Sequence, residues 1–224
     1  MHIPDGFIDL PTSAIFAAAS AGAITYSLVG ARKQLDEKSA PLAGLTAVFI
    51  FAVQMLNFPV AAGTSGHLLG GALAAVLVGP YAASLALTVV LVMQAFLFAD
   101  GGLSAIGLNV FNIGVIGVWA GYGIYVIVKK VLPKRKSSVA LAGAIGGLIS
   151  VPLAAFGFVI QYALGGNATF SLASVFTAMI GTHIIIGIGE ALITGLTISA
   201  IMASRSDLVH GWKSDETKLV IKEI

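Results

Sequence analysis

Apolar runs long enough to cross a bilayer recur along this chain, and charge, Glu190 apart, is confined to their ends and to the breakers between them. Reading between Gly, Pro and charged punctuation gives seven candidate helices, at 11–31, 41–58, 67–79, 81–98, 105–129, 138–164 and 172–203. A helix needs about 20 apolar residues to span the hydrocarbon core. With 58% hydrophobic and only 10% charged residues, the chain lacks the roughly 25% charge with which a soluble domain covers its surface. The fold expected is an all-α integral membrane protein of about seven transmembrane helices.

The run from 67 to 98 tests that count. As one helix it would be about 48 Å long at 1.5 Å per residue, well beyond the hydrocarbon thickness. Gly79-Pro80 divides it, so two segments joined by a tight inner turn are expected.

Lys and Arg orient the spans. All twelve lie in three places: Arg32, Lys33 and Lys38; Lys129, Lys130, Lys134, Arg135 and Lys136; and Arg205, Lys213, Lys218 and Lys222. Seven spans with the amino terminus outside put every one of them in the cytoplasm, as the positive-inside rule asks. The segments 1–10, 59–66, 99–104 and 165–171 then face outward and carry none. The expected organisation is an extracellular, metal-chelating segment over 1–10, a seven-span domain over 11–203 and a cytoplasmic tail over 204–224. No basic n-region precedes the first run, so no cleaved signal is expected. His2 is too large for the enzyme that trims initiator Met, so Met1 is expected to stay.

Polar side chains gather at the outward ends of these spans. Asn57 closes the second, His67 begins the third, and Gln94 and Asp100 end the fourth. Asn109 and Asn112 share a face of the fifth by their spacing of three, and Gln161 lies near the outer end of the sixth. Such residues are costly within a membrane and ordinarily mark interhelical bonds or a site. Together they describe a polar pocket roofed by residues 1–10. Thr64 and Ser65, beside His67 in the glycine-rich stretch TSGHLLGG, belong to its candidate lining.

The first residues, MHIPDGF, supply chemistry for that pocket. The α-amine of Met1, the amide nitrogen of His2 and its Nδ1 can close adjoining five- and six-membered rings on one metal ion. Losing the amide proton is a step Ni²⁺ or Cu²⁺ promotes, and four planar nitrogens suit those ions. His67 is the one other histidine expected on the outer side. Pro4-Asp5-Gly6 reads as a turn that folds the terminus back, with Asp5 as a candidate acceptor orienting a ligating imidazole. His183 and Glu190, seven apart on the last span, share a face and suggest a buried polar pair; His183 enters the pocket list only as a secondary candidate. His210 is read as solvated in the tail.

The motifs MHIPDGF, TSGHLLGG, QAFLFADGG, NVFNIGVIG and HIIIGIGEALITG resemble the CbiM/NikM proteins, from the terminus to about residue 197. These are substrate-binding (S) components of energy-coupling factor (ECF) importers for cobalt and nickel in prokaryotic cell membranes. The resemblance implies a six-helix S-component core with one added amino-terminal helix. It implies capture of Ni²⁺ or Co²⁺, as transported substrate, by Met1, His2 and His67. It also implies partners: a transmembrane T component of the CbiQ/NikQ type, two ABC ATPases of the CbiO/NikO type, and a small accessory membrane protein of the CbiN/NikN type. Nickel is favoured over cobalt by the planar nitrogen set.

The remaining residues fit a transport subunit that is not an enzyme. There is no GxxxxGK[ST] phosphate loop, HExxH or nucleophile elbow, and no cysteine for a thiolate site. Neither an organic cofactor nor nucleic acid is called for; the lipid bilayer is the surrounding partner. A self-sufficient secondary metal permease is the alternative, yet it needs ionisable residues along the inner half, where Glu190 is nearly alone. An intramembrane enzyme is the second alternative, and no nucleophile supports it.

Overall fold

The structure is a computed structural model that describes residues 1–34, 39–60 and 64–212. It is almost wholly helical. In order come α1 (Leu10–Gln34), α2 (Ser39–Gln54), two short strands β1 (Phe58–Val60) and β2 (Thr64–Gly66), α3 (Gly71–Phe98) and α4 (Ile106–Asn109). A π-helical stretch (Val110–Gly117) leads without a break into α5 (Val118–Val131), followed by α6 (Lys136–Gly165), α7 (Leu172–Ser204) and a 3₁₀ turn (Ser206–Leu208). Among the described residues, five helices are long and apolar enough, by length and composition, to cross a membrane: Leu10–Gln34, Gly71–Phe98, Ile106–Val131, Lys136–Gly165 and Leu172–Ser204. The apolar helix over Ala40–Gln54 is shorter. The chain is therefore a multi-pass membrane protein.

α1 shows the inside-out pattern that lipid imposes. The side chains it buries are mostly small and polar: Thr12, Ser13, Ser20, Ser27 and Ala31. Leu10, Ile15, Tyr26 and Val29 face outward. With no hydrophobic gain between apolar helices in a bilayer, close packing of small residues and hydrogen bonds do the holding. Ser20 Oγ accordingly donates to the Gly107 carbonyl at 2.7 Å.

α3 is two segments. Gly79 has φ 80° and ψ 158°, outside any helical region, and Pro80 has no N–H to give the Val76 carbonyl. The backbone N–H of His210 donates to that carbonyl instead, at 3.0 Å. The break also reverses the chain. A straight helix of 28 residues would separate its ends by about 42 Å. Yet His67, just before α3, and Asp100, just after it, both lie against His2. Residues 71–78 and 80–98 thus run back along one another, as Gly79-Pro80 leads one to expect.

Four expectations need correction. His67 does not begin a helix, because α3 starts at Gly71 and Gly70 takes the left-handed conformation at φ 76°. Asn57 lies past the end of α2, which stops at Gln54; Phe58 precedes Pro59, and the residue before a proline is steered from helix towards strand. An antiparallel hairpin then pairs Phe58 with Gly66 and Val60 with Thr64. Asn109 and Asn112 do not act on one face, since hydrogen bonding switches to the wider π pattern at Val110. His210 is not simply solvated: it packs half-buried against Gly79 and Tyr122. Lys38, Lys213, Lys218 and Lys222, with residues 213–224 of the expected tail, lie outside the described residues.

Candidate metal centre

The amino-terminal segment is threaded into one end of the bundle, between the start of α3 and the loop that follows it. Phe7 anchors it, its ring 5.7 Å from that of Phe158 and 5.3 Å from that of Tyr162. Backbone bonds pin it further: the Asp9 N–H donates to the Gly165 carbonyl at 2.7 Å, and the Asn167 N–H to the Phe7 carbonyl at 3.0 Å. Asp9 Oδ1 accepts from the Thr12 N–H at 2.8 Å and caps α1. Pro4-Asp5-Gly6 makes the turn its composition suggests, closed by the Phe7 N–H on the Pro4 carbonyl at 3.4 Å.

Ile3 is held as tightly as a residue in a sheet. Its N–H donates to Asn109 Oδ1 at 2.8 Å, and its carbonyl accepts from Asn109 Nδ2 at 3.2 Å and from the Gly102 N–H at 2.8 Å. Gly102 is required for that approach, since a Cβ there would collide with the backbone of Pro4 and Asp5. The side chains of Met1, His2 and Ile3 are buried as a result, at 1%, 3% and 0% exposure.

Two imidazoles meet at this point. The rings of His2 and His67 stand 4.4 Å apart, tilted by 35°. His67 Nδ1 lies 2.8 Å from the Leu68 carbonyl, so it carries the ring proton and leaves Nε2 as a bare lone pair. That Nε2 is buried without a partner. His2 Nδ1 sits 2.7 Å from Asp100 Oδ1, though neither of its ring nitrogens makes an aligned hydrogen bond. Asp100 is steadied in turn by Asn57 Nδ2, which donates to its Oδ2 at 3.0 Å.

Burial sets the protonation states. The Met1 amine is pushed down from 8.0 to about 4 by desolvation, against the pull of Asp100. Desolvation likewise lowers His2 and takes His67 well below 6.5, with the nearby amine adding to both effects. For Asp100 burial acts upward, but His2, the amine and Asn57 outweigh it and hold the carboxyl below its usual value. At neutral pH the pocket therefore offers neutral amine and imidazole nitrogens, the forms that bind metal.

Several candidates sit elsewhere. Asp5 does not orient an imidazole: its Oδ1 accepts from the Ser104 N–H at 2.7 Å and from Ser104 Oγ at 2.6 Å. Asp100, next to the α3 terminus, has the place at His2. Asn112 is bonded reciprocally to Gln161, at 2.7 and 3.0 Å, and serves the helix packing. The expected His183–Glu190 pair does not form, since both oxygens of Glu190 are taken by the backbone of Leu69 and Gly70. His183 is buried on α7, its Nδ1 2.7 Å from the Met179 carbonyl and its Nε2 without a partner. The Thr64 and Ser65 side chains lie outside what is described. Sequence reasoning passed over Gln54, whose Nε2 donates to the Leu69 carbonyl at 2.7 Å; an amide on an otherwise apolar helix was its one visible signal.

Among the described residues, no three His, Cys, Asp or Glu side chains form a metal cage. The other nitrogens here are main-chain, from Met1 and the His2 amide, so a cation would need them alongside the two rings.

The family described as the cobalt uptake substrate-specific transmembrane region, CbiM, matches residues 2–208. A chain of Archaeoglobus fulgidus that carries the name fused nickel transport protein NikMN is 39% identical, over 94% of this chain and 68% of that one. The cobalt transport protein CbiM of Thermosediminibacter oceani is 28% identical, over 96% of this chain and 91% of its own length. Among solved structures, that of a truncated transition metal transporter matches with a TM-score of 0.84 at 34% identity, over 91% of this chain and 99% of that chain.

Proposed function

This chain belongs to the cobalt uptake substrate-specific family of membrane transport proteins, and from that premise we propose that it is the metal-capturing S component of an ATP-driven ECF importer. One observation carries the reading. The buried amine of Met1 lies beside two imidazoles, three of whose four ring nitrogens lack aligned partners. Unpaired polar atoms in a buried pocket are costly, and a divalent transition metal would satisfy them together.

Met1 N, the His2 amide nitrogen, His2 Nδ1 and His67 Nε2 are the proposed ligands. In the structure His2 Nδ1 faces Asp100, so binding involves a half-turn of that ring, and Asp100 holds it until then. Asn109 fixes Ile3 and with it the reach of the chelate. Four planar nitrogens favour Ni²⁺ over Co²⁺. Relatives named for nickel and for cobalt support either ion as cargo. Work to move the metal is assigned to partners: a T component, two ABC ATPases, and a small accessory membrane protein, for which the fused NikMN name of a relative speaks.

The test is two glycines inserted ahead of Met1, because a single one would leave the imidazole third from a free amine, itself a planar four-nitrogen chelate for Ni²⁺. They take the amine out of the five-membered ring, and calorimetry on the purified protein should show Ni²⁺ affinity lowered at least a hundredfold with folding retained. The wild-type Ni²⁺ complex should be yellow and diamagnetic. Wild-type affinity in the extended protein, or a paramagnetic six-coordinate ion, overturns the ligand set.

A further inference from the structure

Glu190 lies in the middle of α7 and is 2% exposed. A carboxylate in a membrane helix is expensive unless paired, yet no salt bridge among the described residues includes it. Its two oxygens have another use. Oε2 accepts from the Leu69 N–H at 2.9 Å and Oε1 from the Gly70 N–H at 2.7 Å. Those N–H groups stand immediately ahead of α3, where the helix dipole also favours negative charge. The carboxylate is confined from behind: a Cβ on Gly147 of α6 would come within 3.0 Å of Glu190 Cγ.

The segment so held is the one that carries His67. Its ring is fixed through Nδ1 to the Leu68 carbonyl, so the ring and the 68–70 backbone move as a unit. Gln54 of α2 ties the opposite side, donating to the Leu69 carbonyl at 2.7 Å. Gly70, left-handed at φ 76°, lets the chain turn from this stretch into α3, and a Cβ there would press on Ile50 at 2.9 Å. Among the described residues, nothing else bonded to the 68–70 backbone is charged. One carboxylate on α7 thus governs where His67 Nε2 stands relative to His2 and the amine.

We propose that Glu190 is a positioning residue for metal capture, acting through Leu69 and Gly70 to hold His67 in chelating register with the amino terminus. The inference rests on the reading of His67 as a ligand. Glu190 touches no metal. It works as hydrogen-bond partners of ligating histidines do in metal sites, where their loss lowers affinity about ten- to a hundredfold. The same contact makes α7 and the metal pocket one mechanical unit, so that a movement of α7 is felt at His67.

The experiment is a double-mutant cycle on the full chain in detergent or nanodiscs, titrated with Ni²⁺ by calorimetry. E190Q keeps one acceptor but sets an amide NH₂ against a backbone N–H. It should lose about ten- to a hundredfold in affinity, and its Ni²⁺ absorption at saturation should move towards that of H67A. In the H67A background, where the amine, amide and His2 still bind weakly, adding E190Q should cost nothing more, the non-additivity expected of coupled residues. Equal loss in both backgrounds, or wild-type affinity in E190Q while H67A is impaired, overturns the positioning role. Wild-type affinity in H67A overturns the ligation of His67, and the positioning role with it. If E190Q does not fold, Gly147→Ala displaces the same carboxylate and enters the same cycle, with a smaller loss expected.

Discussion

His2 illustrates how far a single residue can be read. That an imidazole beside a terminal amine makes a chelate follows from covalent chemistry and needs no fold. That the amine is neutral follows only from burial. Its ordinary value of 8.0 is pushed down to about 4 in the docked terminus, while a released terminus would take a proton below pH 8. Docking is thus fully favoured above pH 8, weakens about tenfold for each unit the pH falls, and reaches its floor near pH 4. His2 and His67 are lowered by burial too and steepen the loss below 6.5. Hydrogen exchange at the Ile3 amide, bonded to Asn109 Oδ1, should therefore speed up in the metal-free protein as pH falls from 8 to 5, after correction for intrinsic rates. A protection factor flat across that window would contradict burial of the amine. Asn109 and Asp100 were legible in the sequence as polar residues at outer ends. Their partners were not, because those partners are backbone and side-chain atoms about a hundred residues away in the chain.

At the scale of elements, the break in α3 matters most. Pro80 made it foreseeable, since proline forfeits the bond to the Val76 carbonyl. What fills the vacancy is the His210 N–H, which no local pattern announces. The contact gives a prediction with a built-in control. His210→Pro removes the N–H and leaves a buried carbonyl unpaired, at a cost of about 1–3 kcal/mol, seen as a lower thermal midpoint and faster proteolysis near residues 205–212. His210→Ala keeps the N–H and should cost clearly less. Equal effects would mean that the imidazole, not the backbone, holds the tail. Neither change should alter Ni²⁺ affinity. The start of α3 was less legible, for TSGHLLGG has no proline to stop a helix. Tertiary bonds from Glu190 and Gln54 hold residues 67–70 outside the helix.

For the whole molecule, composition announced the membrane and the distribution of Lys and Arg announced an orientation. The latter can be measured directly, because a chain without cysteine gives no background to thiol labelling. Asn167→Cys, in the exposed turn after α6, should react with a membrane-impermeant maleimide in intact cells. Lys134→Cys should react only once the membrane is opened, and the reverse pattern would invert the topology. Sequence by itself determined the helical membrane class, the reversal at Gly79-Pro80, the chelating chemistry of the first two residues and the family likeness, because these depend on composition, covalent geometry and local breakers. Tertiary structure alone decided that Asp100 rather than Asp5 attends His2, that Asn112 turns away to Gln161, and that Glu190 reaches for the His67 segment instead of His183. A polar side chain buried in a bilayer must find a partner, and which partner lies within reach is fixed only when the helices have packed.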